Sequence, residues 1–218
     1  MGDSWGEPNW RRPQPGFTPQ GHTASLLAQR GHTVFNYSES GRGNMTSWLK
    51  LQTNPPPRMD HIIWFHTEIV RDMSNDYTGP LHEQLDLGAE RIYSRIQSIY
   101  TQYAEGVDII LVEGQSQRHQ PLFDHFFPQR RLIADWRAQL LNQTSLPYTP
   151  LLAQICGTGD PFARWTDSAE EKNHMLNDTE RVLDLMKESD LFPDNAHPGD
   201  LAHQQLTDQL CELIAAKR

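Results

Sequence analysis

Cysteine is nearly absent: Cys156 and Cys211 are the only two in 218 residues, and they form no CxxC pair. That excludes a disulfide framework and a thiolate zinc site, and it makes a reducing compartment the default. Positive charge is scarce too. With 19 Lys and Arg against 28 Asp and Glu, the net charge of -9 speaks against an electrostatic grip on nucleic acid or an anionic membrane, because such contacts need clustered cations. An uncharged substrate or polymer fits better. No apolar run approaches the ~20 residues of a membrane-spanning helix. No basic segment followed by an apolar one opens the chain, so we expect a soluble protein, cytoplasmic or otherwise, with no export signal in this form. Internal repeats and low-complexity tracts are also missing, and 218 residues suit a single domain with a sizeable core.

What is present alternates between short apolar runs and longer amphipathic ones. The segments "HTVFNY" (32–37), "DHIIWFH" (60–66) and "VDIILVE" (107–113) are β-branched and aromatic enough for buried strands, and "RRLIADW" (130–136) is a weaker one. Between them, "PQGHTASLLAQRGH" reads as a helix closed by Gly31. The stretch 81–106 carries Leu85, Ile92, Ile96 and Ile99 at helical spacing. Further helices are expected over about 168–187 and 199–217. Strand, helix, strand, helix predicts an α/β fold with a mainly parallel sheet covered on both faces. Such sheets bind ligands beyond the carboxyl ends of their strands. The polar loops "SESGRGN", "TEIVRD" and "GQSQRHQ" follow three of the expected strands and are the places to seek chemistry.

Near the end of the chain, "DNAHP" sets Asp194 three residues before His197, just ahead of an expected helix. A short loop of this kind can aim the imidazole at a nucleophile while the carboxylate fixes its tautomer. Alone, the pair reads more simply as a capped turn with a surface histidine. It has company: Gly2-Asp3-Ser4 stands at the front and "NYSESG" (36–41) follows the first expected strand. In that order and at those separations, the three blocks resemble the SGNH (GDSL-type) hydrolases. The resemblance implies a three-layer α/β/α sandwich with strand order 2-1-3-4-5, and a serine esterase that needs no metal or organic cofactor. It maps the nucleophile onto Ser4, the base onto His197 and the orienting carboxylate onto Asp194. The oxyanion would be held by the backbone N–H groups of Ser4 and Gly41, with Gly43 the alternative register.

The third block departs from the family's G-x-N-D pattern. The aligned run "FHTEIVRD" puts His66 at the glycine and Glu68 at the asparagine, and an ionised carboxylate cannot donate to an oxyanion. Losing one such donor costs about 2.7–4 kcal/mol of transition-state stabilisation. Either a protonated Glu68 or Asn44 would restore it. Alternatively Glu68 pairs with Arg71, one helical turn on, making Arg71 and Asp72 scaffold. His66 is expected to contact substrate or to hydrogen-bond, since H-x-E alone lacks a third metal ligand. Trp5 and Trp10 are placed either to stack on a sugar ring or to pack beneath the loop.

The favoured substrate is a small-molecule or carbohydrate ester, with an O-acetyl group preferred. The rival is a catalytically weak or inactive carbohydrate-binding or structural relative. A metal-dependent hydrolase using His66 and Glu68 is a further alternative. The family's nucleophile follows a central apolar strand, whereas here only Met1 and Gly2 precede Asp3. Without that strand its two neighbours would stand about 10 Å apart. The expectation is therefore an intact protein with several apolar residues ahead of Met1.

Overall fold

The computed structural model describes residues 6, 16, 18–40, 42–67, 72, 81–103, 105–113, 120–133, 136, 139–140, 191 and 198–216. Within them α1 (Thr23–Gln29) and α2 (Asn44–Thr53) precede β1 (His61–His66). The order continues with α3 (Leu81–Tyr100), β2 (Asp108–Glu113), α4 (Gln120–Phe126), β3 (Arg131–Ile133) and α5 (Asp200–Ala215). The strands form one sheet in the order β1-β2-β3, all parallel, with Ile63 opposite Ile110 and Leu111 opposite Leu132. An α/β fold is therefore present, and the helical crossovers α3 and α4 are what parallel neighbours require. The helix expected over 168–187 lies outside the described residues.

Why β1 and β2 read as continuous apolar runs is visible in their two faces. Ile62, Trp64, Ile109 and Leu111 join one core with Trp48, Leu51, Tyr93, Ile96, Phe123 and Phe127 from α2, α3 and the α4 region. Phe65, Ile110, Val112 and Ile133 join the other with Leu27 of α1 and Ala202, Leu206, Leu210 and Ile214 of α5. Successive side chains of a strand point to opposite faces, so a strand covered on both has no polar position. Trp64 centres the first core, with its ring 5.4 Å from Trp48, 5.5 Å from Phe123 and 5.6 Å from Phe127. Burying an aromatic of this size removes roughly 200 Å² of surface, a gross gain of about 5 kcal/mol.

Helix α1 ends as its glycine requires. Gly31 has φ of 91°, its N–H donates to Ala28 O, and His32 N donates to Leu27 O; this paired closure needs a left-handed residue just past the helix. Gly106, at φ 84°, turns the chain between α3 and β2 in the same conformation. Arg131 ties the sheet to α5, donating to the Asp108 carboxylate and to Leu213 O. Cys211, half-buried on α5, accepts from Arg30 Nη1 at 3.3 Å, and Arg30 also pairs with Asp208.

One expected strand is absent. Residues 32–39 form no regular structure, and Val34 and Phe35 are 37% and 47% exposed. A strand exists only through a ladder with its neighbour. Among the described residues, none pairs with this segment.

Candidate functional site

At the carboxyl end of β1 the backbone leaves the sheet through Thr67, and a buried polar knot forms there around Asn44. Asn44 Oδ1 accepts from Trp64 Nε1 and from Thr67 N, both at 3.0 Å. Its Nδ2 donates to Thr67 O at 3.0 Å and to Asp72 Oδ2 at 2.9 Å. Asp72 completes the knot by accepting from Asn44 N and Met45 N, each at 2.7 Å. Those two N–H groups begin α2 and have no partner within the helix. The carboxylate thus caps a helix 28 residues away in sequence, where the helix dipole also favours negative charge.

Gly43 fits this cap and no larger residue would. A Cβ there would stand 2.2 Å from Asp72 Oδ1, so the glycine answers to the close approach of the carboxylate. The scaffold role expected of Asp72 has a definite form: it fixes where the glycine-rich loop enters α2.

Two candidate residues have partners of their own here. Both amide hydrogens of Asn44 are engaged, and the side chain is buried. Donation from it to an oxyanion would cost one of those bonds, so its observed role is to hold the loop to β1. His66 is 2% exposed, with Nε2 3.0 Å from Tyr93 Oη and its ring among Trp64, Tyr93 and Phe123. It braces β1 against α3 within the core. Ser4, Trp5, Gly41, Glu68, Asp194 and His197, with Trp10 and Arg71, lie outside the described residues.

Two of their described neighbours make long-range contacts. Asn36 Nδ2 donates to Gly6 O at 2.7 Å, and its Oδ1 accepts from Ser38 N at 2.9 Å. A Cβ on Gly6 would meet Ser38 Oγ at 2.3 Å and the Phe65 ring at 3.3 Å. The residue two beyond Ser4 therefore sits against Ser38 and against Phe65 near the carboxyl end of β1. At the other end of the chain, Asp200 N donates to Gly16 O, while its carboxylate accepts from Thr18 N and Thr18 Oγ1, both at 2.8 Å. Asp200 begins α5, three residues after His197.

Sequence reasoning did not single out Asn36 or Asp200 for these clasps, nor the histidine pair behind them. The rings of His22 and His203 lie 4.1 Å apart between centroids, tilted by 41°, and His203 Nδ1 lies 2.8 Å from Thr23 Oγ1. Trp136 covers the pair at 5.6 Å from the His203 ring. Signals existed only for Asp200, as an acidic residue in the first turn of a helix; the others depend on contacts across 30 and 180 residues.

Burial, reinforced by His22, pushes the His203 imidazole well below its ordinary value of 6.5. In the unfolded chain the ring protonates near pH 6.5, so below that pH the unfolded state takes up a proton that the folded state refuses. Stability from this group is intact above pH 6.5 and declines as pH falls, by up to about 1.4 kcal/mol per pH unit. Melting temperatures at pH 7.5 and 5.5 should therefore differ more for the wild type than for His203→Gln. Equal differences would show that this ring does not set the acid sensitivity.

No family model, no curated protein and no solved structure matches this chain in the comparisons made.

Proposed function

We propose that the chain is a serine ester hydrolase of SGNH type acting through an acyl-enzyme. Ser4 Oγ attacks the ester carbonyl, His197 takes the proton and returns it to the leaving alcohol, and Asp194 orients the imidazole. The N–H groups of Ser4 and Gly41 hold the oxyanion, with Glu68 where a third donor would stand. The finer architecture belongs to this reading: a three-layer sandwich with order 2-1-3-4-5, in which β1, β2 and β3 are the third to fifth strands. The substrate is a neutral ester, an O-acetyl group on a carbohydrate being the preferred case.

The observation that carries the reading is the bond from Asn36 Nδ2 to Gly6 O, with Gly6 pressed between Ser38 and Phe65. It supports adjacency of the first two motif blocks at the carboxyl end of a parallel strand, where such folds do their chemistry. The clasp of Asp200 on Gly16 and Thr18 supports the approach of the third block from the far end of the chain. The engagement of both Asn44 amide hydrogens favours the rival, a weakly active or inactive carbohydrate-binding relative, since it leaves the oxyanion with fewer donors.

A fluorophosphonate probe tests the choice. An activated serine should take up one phosphonyl group, mapped by peptide mass to the fragment containing Ser4, and His197→Ala should abolish the labelling. A chain that stays unlabelled at Ser4 while retaining its fold by circular dichroism would overturn the esterase reading.

A further inference from the structure

Asp200 opens α5, and its bonds reach across the chain. Its N–H, one of those that a helix start leaves without an internal partner, donates to Gly16 O at 2.8 Å. Both carboxylate oxygens accept from Thr18, Oδ1 from the backbone N–H and Oδ2 from the hydroxyl, each at 2.8 Å. Thr18 Oγ1 accepts in turn from Gly21 N at 2.9 Å. A Cβ on Gly21 would stand 2.2 Å from the Asp200 carboxyl carbon, so the fit is close on that side too. The first residue of α5 is thereby bound to a segment 182 positions away.

Helix capping alone does not call for this arrangement. A Ser, Thr, Asn or Asp at the cap position would serve the helix start, but that position is Gly199, which has no side chain to offer. The acid stands one residue later and grips Thr18 instead. Gly199 N meanwhile donates to Leu191 O at 2.8 Å, and Leu191 is buried in the core with Ala202 and Leu206 of α5. The stretch 192–198, which includes Asp194 and His197, therefore departs from one fixed point and returns to another. The return point is bonded to the N-terminal segment.

A general base must stand within hydrogen-bond reach of the proton it takes. Here the base and the nucleophile of the esterase reading come from opposite ends of the chain, so their register depends on whatever joins those ends. Resting on that reading, we propose that Asp200 is a positioning residue for the reaction: by holding Gly16 and Thr18 it sets where His197, three residues earlier, stands relative to Ser4. Two bonds from one carboxylate to one residue fix orientation as well as distance. A misplacement of about 1 Å between reacting groups can cost on the order of a hundredfold in rate.

Hydrolysis of p-nitrophenyl acetate by the full chain tests the proposal, with each variant assayed well below its own Tm and its fold checked by circular dichroism. Asp200→Ala should lower kcat by about tenfold to a hundredfold and leave KM within about twofold, because the clasp acts on the base and not on substrate binding. Thr18→Val, which loses only the hydroxyl bond, should give a smaller loss of the same kind. Asp200→Asn should recover most of the loss, since its oxygen can accept from Thr18 N while its amide donates to Thr18 Oγ1. In a His197→Ala background, Asp200→Ala should change the residual rate less than about twofold, because a positioning residue acts only through the group it positions. A folded Asp200→Ala protein with wild-type kcat would overturn the proposal, and so would an equal fractional loss with and without His197. Turnover that is the same in wild type and Ser4→Ala would overturn the esterase reading itself, and this proposal with it.

Discussion

Asn44→Ala is expected to lower Tm by roughly 10 °C while leaving every charge of the protein in place. The side chain bonds four ways at once, to Trp64 Nε1, Thr67 N, Thr67 O and the Asp72 carboxylate. Asn44, Trp64 and Thr67 are all fully buried. Truncation removes the acceptor of two buried donors and the donor to a buried carbonyl. Each polar group so stranded costs about 1–3 kcal/mol, and water entering the small space left behind recovers part of it. A net loss of about 3–5 kcal/mol is a large share of the 5–15 kcal/mol typical of a domain. Asn44→Asp should do no better, because it loses both Nδ2 donors and sets a second carboxylate beside Asp72. Thermal melts of the two variants against Thr53→Ala, an exposed position on the same helix, provide the comparison. A drop below 3 °C for Asn44→Ala would mean that the knot contributes little.

That knot also shows where sequence reading stops. Strands β1 and β2 were legible because burial on both faces leaves an uninterrupted apolar run, a property of the residues themselves. The closure of α1 at Gly31 was legible for the same reason, since only a local conformation was at stake. Asn44 and Asp72 stood in the sequence as a candidate oxyanion donor and a scaffold residue, and what they do depends on being brought together across 28 positions. No periodicity encodes that. The segment "HTVFNY" marks the opposite case: its composition is that of a strand, and it forms no regular structure, because strand formation is decided by the neighbour as much as by the residues. His66 was read as a residue that contacts substrate or hydrogen-bonds, and its contact with Tyr93 Oη, among aromatic side chains of α3 and α4, is of the second kind.

The proposed chemistry draws on segments that three side chains anchor. Asp72 anchors the glycine-rich loop to α2, Asn36 anchors the N-terminal segment through Gly6, and Asp200 anchors the start of α5 to Gly16 and Thr18. Each anchor is an acidic or amide side chain that engages backbone N–H or C=O groups, so each restrains the main chain. Catalysis by backbone N–H donors depends on such restraint, since a donor must already be aimed when negative charge develops. His22 and His203 lie behind the last of these clasps.

Replacing Ser4 by Ala should reduce kcat for p-nitrophenyl acetate by about a thousandfold to ten-thousandfold, a smaller factor than removal of a nucleophile causes in an enzyme with a complete site. The compression has a physical origin in the third motif block. On the proposed SGNH reading, Glu68 stands where that family has a donating asparagine, so the wild type would start with about 2.7–4 kcal/mol less oxyanion stabilisation, a deficit that the Ser4→Ala protein, lacking the tetrahedral adduct, would not share. Glu68→Asn should therefore raise wild-type kcat by roughly a hundredfold and do nothing in the Ser4→Ala background, since an oxyanion donor acts only on an adduct that the serine forms. This non-additivity separates the two classes of function more sharply than either single variant. A binding protein with adventitious hydrolysis would show equal rates with and without Ser4, and Glu68→Asn would alter its affinity for a carbohydrate without creating serine-dependent turnover.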